Sequence, residues 1–228
     1  LAKHKHSIHH LEALLFGQAG LLESAFEDDY PLLLQREYRY LQKKLSLQPV
    51  AVPLQFLRMR PGNFPTIRLS QLAALIQQSS HIFSKLLETE QLSAVTSFFD
   101  VSANDFWHYH YTFHLSSPFK PKTLGADSIQ NIVINTLAPV LFAYGLHQGK
   151  EEFKEKALRW LSELAAEKNS ITRGFSLLGI KSKTAFDSQA LIELKNEYCS
   201  HKRCLHCAVG ASLLKREAYR AVEAGLGK

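Results

Sequence analysis

Apolar positions along the chain recur mostly at three- and four-residue spacing, which is the period of one face of an α-helix. Two stretches interrupt this pattern, 47–64 and 101–126, and prolines are concentrated in both. The sequence therefore predicts an all-α protein, a single multi-helix domain over 1–228 with two irregular Pro-rich segments and a subdivision, if any, near 115–126. About nine helices are predicted, near 8–17, 30–46, 65–79, 81–98, 127–147, 150–167, 170–178, 184–199 and 206–223.

Several predicted helices begin with residues that satisfy the free N–H groups of a first turn. Asp28 and Asp29 stand just before a proline, which is favoured in a first helical turn. Thr184 and Asp187 have the three-residue spacing of a capping box. Asn169 can cap the helix that follows it. These signals predict where the helices start.

The longest apolar run is IVINTLAPVLFAYGL at 132–146, and it is expected to form the most buried helix. It is shorter than the roughly 20 apolar residues that a spanning helix needs, and Asn135 and Pro139 interrupt it. We therefore expect a central core helix, kinked near the proline, and no membrane partner. The predicted core contacts are Ile132, Ile134, Leu137, Leu141 and Phe142.

Composition indicates a folded protein in a reducing compartment. Of 228 residues, 46% are hydrophobic and 21% are charged, which is an ordinary globular balance. The three cysteines are clustered and no signal-peptide pattern is present, so the predicted location is cytoplasmic. The net charge of +6 favours a polyanionic partner such as nucleic acid.

Positive charge is concentrated in the first half of the chain. Between Tyr38 and Leu87 there are seven lysines and arginines and no acidic residue. The centre, RMRPGNFPTIRL, places its arginines at the start of a predicted helix, where backbone N–H groups bind anions. The alternative is pairing with acidic side chains elsewhere, such as Glu23, Glu27, Asp28 and Asp29. The candidate anion- or nucleic-acid-binding residues here are Arg58, Arg60, Asn63 and Arg68.

The segment FWHYHYTFH, at 106–114, alternates aromatic residues with histidines and a threonine. In a strand the aromatic side chains would share one face, and His108, His110 and His114 the other. Two histidines on one strand face can bind a metal ion, and the aromatic face can stack nucleic-acid bases. The alternative is an extended segment that buries its aromatic residues and leaves the histidines at the surface.

All three cysteines fall in YCSHKRCLHC, at 198–207, between two predicted helices. Zinc needs four ligands, and His201 or His206 can complete a set with the three thiolates. An iron–sulfur cluster is less supported because a fourth cysteine is absent. The alternative is that the cysteines pack as small apolar groups or form a redox-sensitive thiol pair. The candidate metal ligands are Cys199, Cys204, Cys207 and His201, and Lys202 and Arg203 extend the candidate nucleic-acid-binding surface.

Two resemblances add to this reading. FSLLGIKSKTAFDSQALI, at 175–192, loosely resembles a helix–hairpin–helix element through Gly179 and the pair Thr184 and Ala185, with Lys181 in place of the second hairpin glycine. That resemblance implies contact with a DNA phosphate.

The wider resemblance spans most of the chain through RPGNFPTIRLSQLA, NTLAPVLFAYG, LAAEKN, DSQALIEL and YCSHKRCLHCAVG. These motifs are similar to a bacterial family known as a domain of unknown function. The resemblance implies the helical C-terminal portion of a longer protein whose strand-rich N-terminal part suggests a restriction-endonuclease-like core. It implies no activity and no catalytic residues for this chain.

Taken together, the patterns favour a helical binding or accessory module that contacts nucleic acid through a basic surface. No Ser-His-Asp order, phosphate-loop glycine pattern or HExxH motif is present, so we name no catalytic residue. Two alternatives stay open. One is a metal-dependent enzyme or metal-stabilised domain with a Cys/His site near the C-terminus, and the other is a structural domain that docks an N-terminal domain absent from this chain.

Overall fold

A computed structural model describes residues 1–52, 54–56, 59–79, 81–213 and 215. The chain forms two compact units, unit 1 over 1–131 and unit 2 over 132–228. The all-α prediction is confirmed, because 64% of the chain is helical and the described residues contain one sheet, of two strands. The single domain over 1–228 stays a prediction.

Unit 1 is a set of helices with a small β-hairpin near its end. The helix α1 packs against both α2 and α3. The elements are α1 Ile8–Gln18, α2 Asp29–Leu45, α3 Pro65–Gln78, α4 Ile82–Glu88, α5 Leu92–Ser97, α6 Asp105–His108, β1 His110–Thr112, β2 Leu115–Ser116 and α7 Ala126–Ile132.

The helix predicted over 81–98 is in fact two helices, α4 and α5, and this prediction was wrong. The backbone at Thr89 is extended, so α4 cannot continue through it. The carbonyl of Lys85 accepts two hydrogen bonds from Thr89, one from its N–H at 2.9 Å and one from its hydroxyl at 2.6 Å. The four residues at 88–91 are all polar and interrupt the apolar spacing at the break, so the sequence did contain a signal of it.

The core of unit 1 is aromatic. The rings of Phe16, Trp107 and Phe113 contact one another with centroid separations of 5.0–5.2 Å. Trp107 and Phe16 are fully buried. The segment at 106–114 therefore supplies core area, as aromatic residues usually do. It is not one continuous strand, because its first residues form α6 and its later ones form β1.

Two helices of unit 1 approach each other at a glycine. A Cβ atom added to Gly17 would lie 2.2 Å from the Cγ and Cδ2 atoms of Tyr38 on α2. The ring cannot easily move, because Tyr38 is only 7% exposed and its hydroxyl accepts a 2.9 Å hydrogen bond from the side chain of Gln18. Gly17 thus sets the distance between α1 and α2.

Gly17→Ala is expected to destabilise unit 1 by about 1–3 kcal/mol, because an extra methyl group in a packed interior forces side chains or helices apart. The measurement is the urea midpoint in equilibrium unfolding. Gly62→Ala is the matched control, since a Cβ atom there meets nothing within 4 Å. Equal midpoints for the two variants would show that Tyr38 adapts without cost.

In the described part of unit 2, a helix pair is followed by a second, shorter pair. The helices α8 and α9 pack extensively against each other, and α11 packs against both α9 and α10. The elements are a π-helical turn Val133–Leu137, α8 Ala138–Gln148, α9 Glu151–Glu163, α10 Ser170–Leu177, α11 Ala185–Glu193, a second π-helical turn Leu194–Cys199 and a 3₁₀ turn Cys204–His206.

The long apolar run is helical throughout, with a wider turn before its proline. The N–H of Ala138 bonds to the carbonyl of Val133, five residues earlier. Pro139 has no N–H and its ring would collide with a regular helical turn, so the wider π-turn accommodates it. The disturbance predicted near Pro139 is therefore a π-helical turn.

The same helix is less buried than predicted. Ile134, Leu137 and Leu141 are buried, but Phe142 is 38% exposed, and Ile132 is only partly buried. Only 33% of its most apolar window is buried, whereas six of the eleven residues of α1 are buried. The prediction that it is the most buried helix was wrong, because Val140, Phe142 and Leu146 of the run are exposed.

The length and composition of this helix are relevant to whether the chain could span a membrane. As a continuous helix of 23 residues, Ala126–Gln148 has the length and composition of a membrane-spanning segment. One such helix is weak evidence, because core helices of soluble proteins have the same properties. The sequence-based argument that the run is too short does not hold, since helical residues before 132 lengthen it.

The shorter pair, α10 and α11, forms a helical hairpin whose predicted caps are confirmed. Asn169 and Thr172 form a capping box at the start of α10, and Thr184 and Asp187 form another at the start of α11. Between the helices, Gly179 adopts φ +84°, a backbone conformation that a side chain disfavours.

The last two predicted helices, at 184–199 and 206–223, are compared with the structure in turn. The helix predicted at 184–199 is α11 extended by the second π-helical turn. The helix predicted at 206–223 lies largely outside the described residues, and within them its first turns, at 208–213, are helical.

Candidate functional site

A pocket of about 570 Å³ lies in unit 2 beside the α10–α11 hairpin. Its lining comes from the segment that follows α9, from the first turns of α10, and from the loop before α11. The residues concerned are Ala165, Ala166, Glu167, Lys168, Asn169, Thr172, Arg173, Ser176, Lys181, Ser182 and Lys183.

Hydrogen bonds between the two loops hold the walls in place. The N–H of Ala185 donates to the carbonyl of Leu164 at 2.8 Å, and the N–H of Ala166 donates to the carbonyl of Lys183 at 3.2 Å. The hydroxyl of Thr172 donates to the carbonyl of Glu167 at 3.0 Å. The pocket shape is therefore set by backbone pairing rather than by mobile side chains.

The lining is predominantly cationic. Four basic residues border the pocket, Lys168, Arg173, Lys181 and Lys183, and all four are exposed. One carboxylate is present, that of Glu167, and it accepts a hydrogen bond from the side-chain amide of Gln189. We call this site, defined by its four basic residues, the cationic pocket.

A second carboxylate, that of Asp187, lies just outside the lining and belongs to the α11 cap. Backbone N–H groups of Lys183 and Thr184 donate to it and lower its pKa, and the nearby charge of Lys183 adds to this effect. Asp187 thus offsets part of the charge of Lys183, whereas Lys168, Arg173 and Lys181 have no ion pair among the described residues.

Such an arrangement is suited to phosphate groups. Arginine binds phosphate oxygens through paired N–H donors, and lysines add point charges. A pocket open to solvent and lined by three or four cations can therefore accept one phosphate of a larger polyanion. The sequence-based candidates did not include this pocket, although the resemblance at 175–192 pointed to the same hairpin.

The predicted anion site near the start of α3 is assembled in part. Arg58 lies outside the described residues. Arg60 is exposed and precedes the turn Pro61–Asn63. The guanidinium of Arg68 donates to the side-chain oxygens of Asn63 at 2.6 Å and Ser128 at 2.9 Å. Convergence of the three arginines stays a prediction.

Among the described residues, Arg68 is bound by neutral oxygens rather than by carboxylates. Besides Asn63 and Ser128, it donates to the side-chain oxygen of Gln71 at 2.9 Å, so both terminal nitrogens are engaged. Burial lowers the pKa of Arg68. Asn63 does not cap α3, because its side-chain oxygen accepts from Arg68 and no side-chain cap is formed. The acidic pairing considered for these arginines is not observed at Arg68.

The basic Cys/His segment forms a tight turn in unit 2. Lys202 adopts φ +53°, and the N–H of Arg203 donates to the carbonyl of Tyr198 at 2.9 Å. Lys202, Arg203 and His201 are exposed. Their contact with nucleic acid stays a prediction.

The cysteines are free thiols in different environments. Cys199 and Cys204 are exposed, and Cys207 is buried. Within the described part of the chain, no three His, Cys, Asp or Glu side chains are grouped closely enough to hold a metal ion. The thiolates therefore do not form a ready ligand set with His201, and zinc binding here stays a prediction.

A buried carboxyl group, which the sequence analysis missed, lies in the core of unit 1. Glu12 on α1 is fully buried. It accepts hydrogen bonds from the hydroxyl of Tyr30 at 2.6 Å and from the indole N–H of Trp107 at 3.1 and 3.2 Å. The Tyr30 hydroxyl in turn accepts from the side chain of Asn104 at 2.8 Å.

Burial is the largest influence on the pKa values of Glu12 and Tyr30. It raises the pKa of Glu12 from 4.5 to about 7, although the hydrogen bonds from Tyr30 and Trp107 act in the opposite direction. Burial and the neighbouring Glu12 carboxylate also raise the pKa of Tyr30. The signal in the sequence was a single acid inside the apolar stretch LEALLF, at 11–16.

The histidines of the aromatic segment are not arranged as a metal pair. His108 lies against Phe119, whereas His110 stacks on Phe106 with a centroid separation of 4.0 Å. Both imidazoles are largely buried, with side-chain exposures of 15% and 14%. The alternative of surface histidines is therefore not observed for His108 and His110.

Comparison with known proteins gives one match. A family model described as a protein of unknown function (DUF2851) matches residues 1–170, which is all of unit 1 and the part of unit 2 up to the first residue of α10. No curated protein and no solved structure matches the chain. The matched region ends inside the lining of the cationic pocket.

Proposed function

This chain belongs to the DUF2851 family, and we propose that it acts as a helical nucleic-acid-binding module through the cationic pocket. The observation that carries the proposal is the clustering of Lys168, Arg173, Lys181 and Lys183 around one cavity with a single lining carboxylate. Phosphate oxygens are the ligands that such a cluster favours.

The overall charge supports a polyanion rather than a small anion. A net charge of +6 raises the rate at which a polyanion meets the protein, and a phosphate backbone can contact several cations at once. Lys202 and Arg203 are further exposed cations of unit 2 that the proposal includes as contacts of nucleic acid. The bacterial origin, the cytoplasmic location and the place at the C-terminal end of a longer protein stay predictions from the sequence.

The test is binding of labelled DNA and RNA oligonucleotides by the whole chain, measured by fluorescence anisotropy at several salt concentrations. Binding is expected to weaken with salt, with a log–log slope of about −0.9 per neutralised phosphate on duplex DNA. Arg173→Ala and Lys181→Ala should each weaken binding. Each should also make the log–log slope shallower by about 0.9, the contribution of one phosphate contact.

Lys150→Ala is the matched control, because Lys150 is an exposed lysine of unit 2 outside the pocket lining. It should leave both affinity and slope nearly unchanged. Absence of binding at the lowest salt, or equal effects of Lys150→Ala and Lys181→Ala, would contradict a role for the cationic pocket.

A further inference from the structure

Two aromatic rings of unit 1 are exposed side by side. Tyr109 is 51% exposed and Phe119 is 58% exposed. Their ring centroids lie 5.3 Å apart, with an interplanar angle of 56°. The neighbouring aromatic residues of this segment, Trp107 and Phe113, are buried instead. We call Tyr109 and Phe119 the ring pair.

Backbone pairing holds the ring pair in place. The N–H of Lys120 donates to the carbonyl of His108 at 2.8 Å, and the N–H of Ser117 donates to the carbonyl of Tyr109 at 2.6 Å. These bonds continue the hairpin of β1 and β2 beyond its regular residues. The imidazole of His108 also packs edge-on against Phe119, with centroids 5.7 Å apart. The rings are thus presented on a fixed surface.

The chain segment that carries the ring pair is basic, although the carboxylate of Asp28 lies 3.8 Å from the Nε2 atom of His110. From Phe106 to Ala126 the chain has no acidic residue, and Lys120, next to Phe119, is exposed. The closest carboxylate along the chain is that of Asp105, which lies 3.9 Å from the Nε2 atom of His108 and is fully exposed. This combination of exposed rings and positive charge fits a ligand with flat rings and negative charge.

We propose that the ring pair stacks unpaired bases of a single-stranded nucleic acid. Each base offers a flat π-face, and stacking on aromatic side chains tolerates any base sequence. Bases inside a duplex are already stacked on both faces, so they are not accessible to these rings. The inference rests on the proposed function and deepens it by naming single strands as the preferred substrate class.

The test compares two probes of equal length and equal phosphate number, an oligothymidylate and an oligonucleotide with abasic sites throughout. The wild-type chain should bind the oligothymidylate about tenfold more tightly or better, because only that probe can stack. Tyr109→Ala and Phe119→Ala should each lower the affinity for oligothymidylate and leave the abasic probe bound as before.

Two controls sharpen the test. Tyr109→Phe keeps the ring and should retain the preference for oligothymidylate. Tyr40→Ala removes another tyrosine of unit 1 that is 58% exposed, on α2, and should leave the preference unchanged. If Tyr40→Ala and Tyr109→Ala reduce the preference equally, stacking is not specific to the ring pair and the inference is wrong.

The outcomes separate this inference from the proposed function. Equal wild-type binding of the two probes overturns base stacking while nucleic-acid binding stands. Loss of abasic binding in Arg173→Ala but not in Tyr109→Ala supports the cationic pocket and the ring pair as separate contacts. Binding of neither probe overturns the inference about single strands, and if duplex DNA and RNA also fail to bind at the lowest salt, the proposed function is wrong as well.

Discussion

Replacing Glu12 with glutamine is expected to remove about 3 kcal/mol of pH dependence from the stability of the protein. The carboxyl group of Glu12 has a pKa of about 7 in the folded state, against an ordinary value of 4.5. Each unit of difference corresponds to about 1.4 kcal/mol. The cause is complete burial, and no positive charge among the described residues contacts the carboxylate.

The sign follows from the raised pKa. A group that binds its proton more tightly in the folded state stabilises that state at low pH. The contribution of Glu12 is therefore fully present below pH 4.5 and is lost as the pH rises to about 7. Above that range the carboxylate is buried as a charge, held by the hydrogen bonds from Tyr30 and Trp107.

The measurement is the free energy of unfolding in urea between pH 4 and pH 8.5 for the wild-type chain and for Glu12→Gln. All ionisable groups other than Glu12 are common to both proteins, so the difference between the curves isolates Glu12. Glu27→Gln, which removes an exposed carboxyl group of unit 1, should give the wild-type curve. Parallel curves for wild type and Glu12→Gln would contradict the argument.

Leu141→Ala is expected to destabilise the protein by about 2–5 kcal/mol. Leu141 lies in α8 and is fully buried in unit 2, so its removal leaves a cavity in addition to the lost burial of apolar surface. The tight packing of α8 against α9 limits how far the helices can close the space. The change in the free energy of unfolding is measured by equilibrium unfolding in urea, monitored by circular dichroism.

Leu146→Ala is the matched control for this substitution. Leu146 lies on the same helix but is 66% exposed, so the same atoms are removed without a cavity. A shift of well under 1 kcal/mol is expected there. Similar shifts for the two variants would mean that the buried face of α8 does not contribute to stability as its packing implies.

Local features of the fold could be predicted from the sequence. The capping boxes at Asn169 and Thr184 depend on residues three positions apart, and the start of α3 depends on Pro65. Helix starts of this kind depend only on residues a few positions apart, so the local sequence is sufficient to predict them. The break between α4 and α5 was missed although the polar run at 88–91 interrupts the apolar spacing there.

The candidate sites depend on distant contacts, and these could not be predicted. Arg68 meets Ser128 across 60 positions of sequence, and Glu12 meets Trp107 across 95. The cationic pocket likewise requires the loop after α9 to pair with the loop before α11. Charge clusters in the sequence identified basic segments, but they could not show which cations share one cavity.

The contact between Gly17 and Tyr38 has a consequence for the evolution of this family. Since the ring fills the space that a Cβ atom at position 17 would need, the two positions cannot change independently. Homologous sequences with an aromatic residue at position 38 should have glycine at position 17. Alanine or a larger residue at 17 should occur together with a smaller residue at 38, a correlation that an alignment of homologues can reveal.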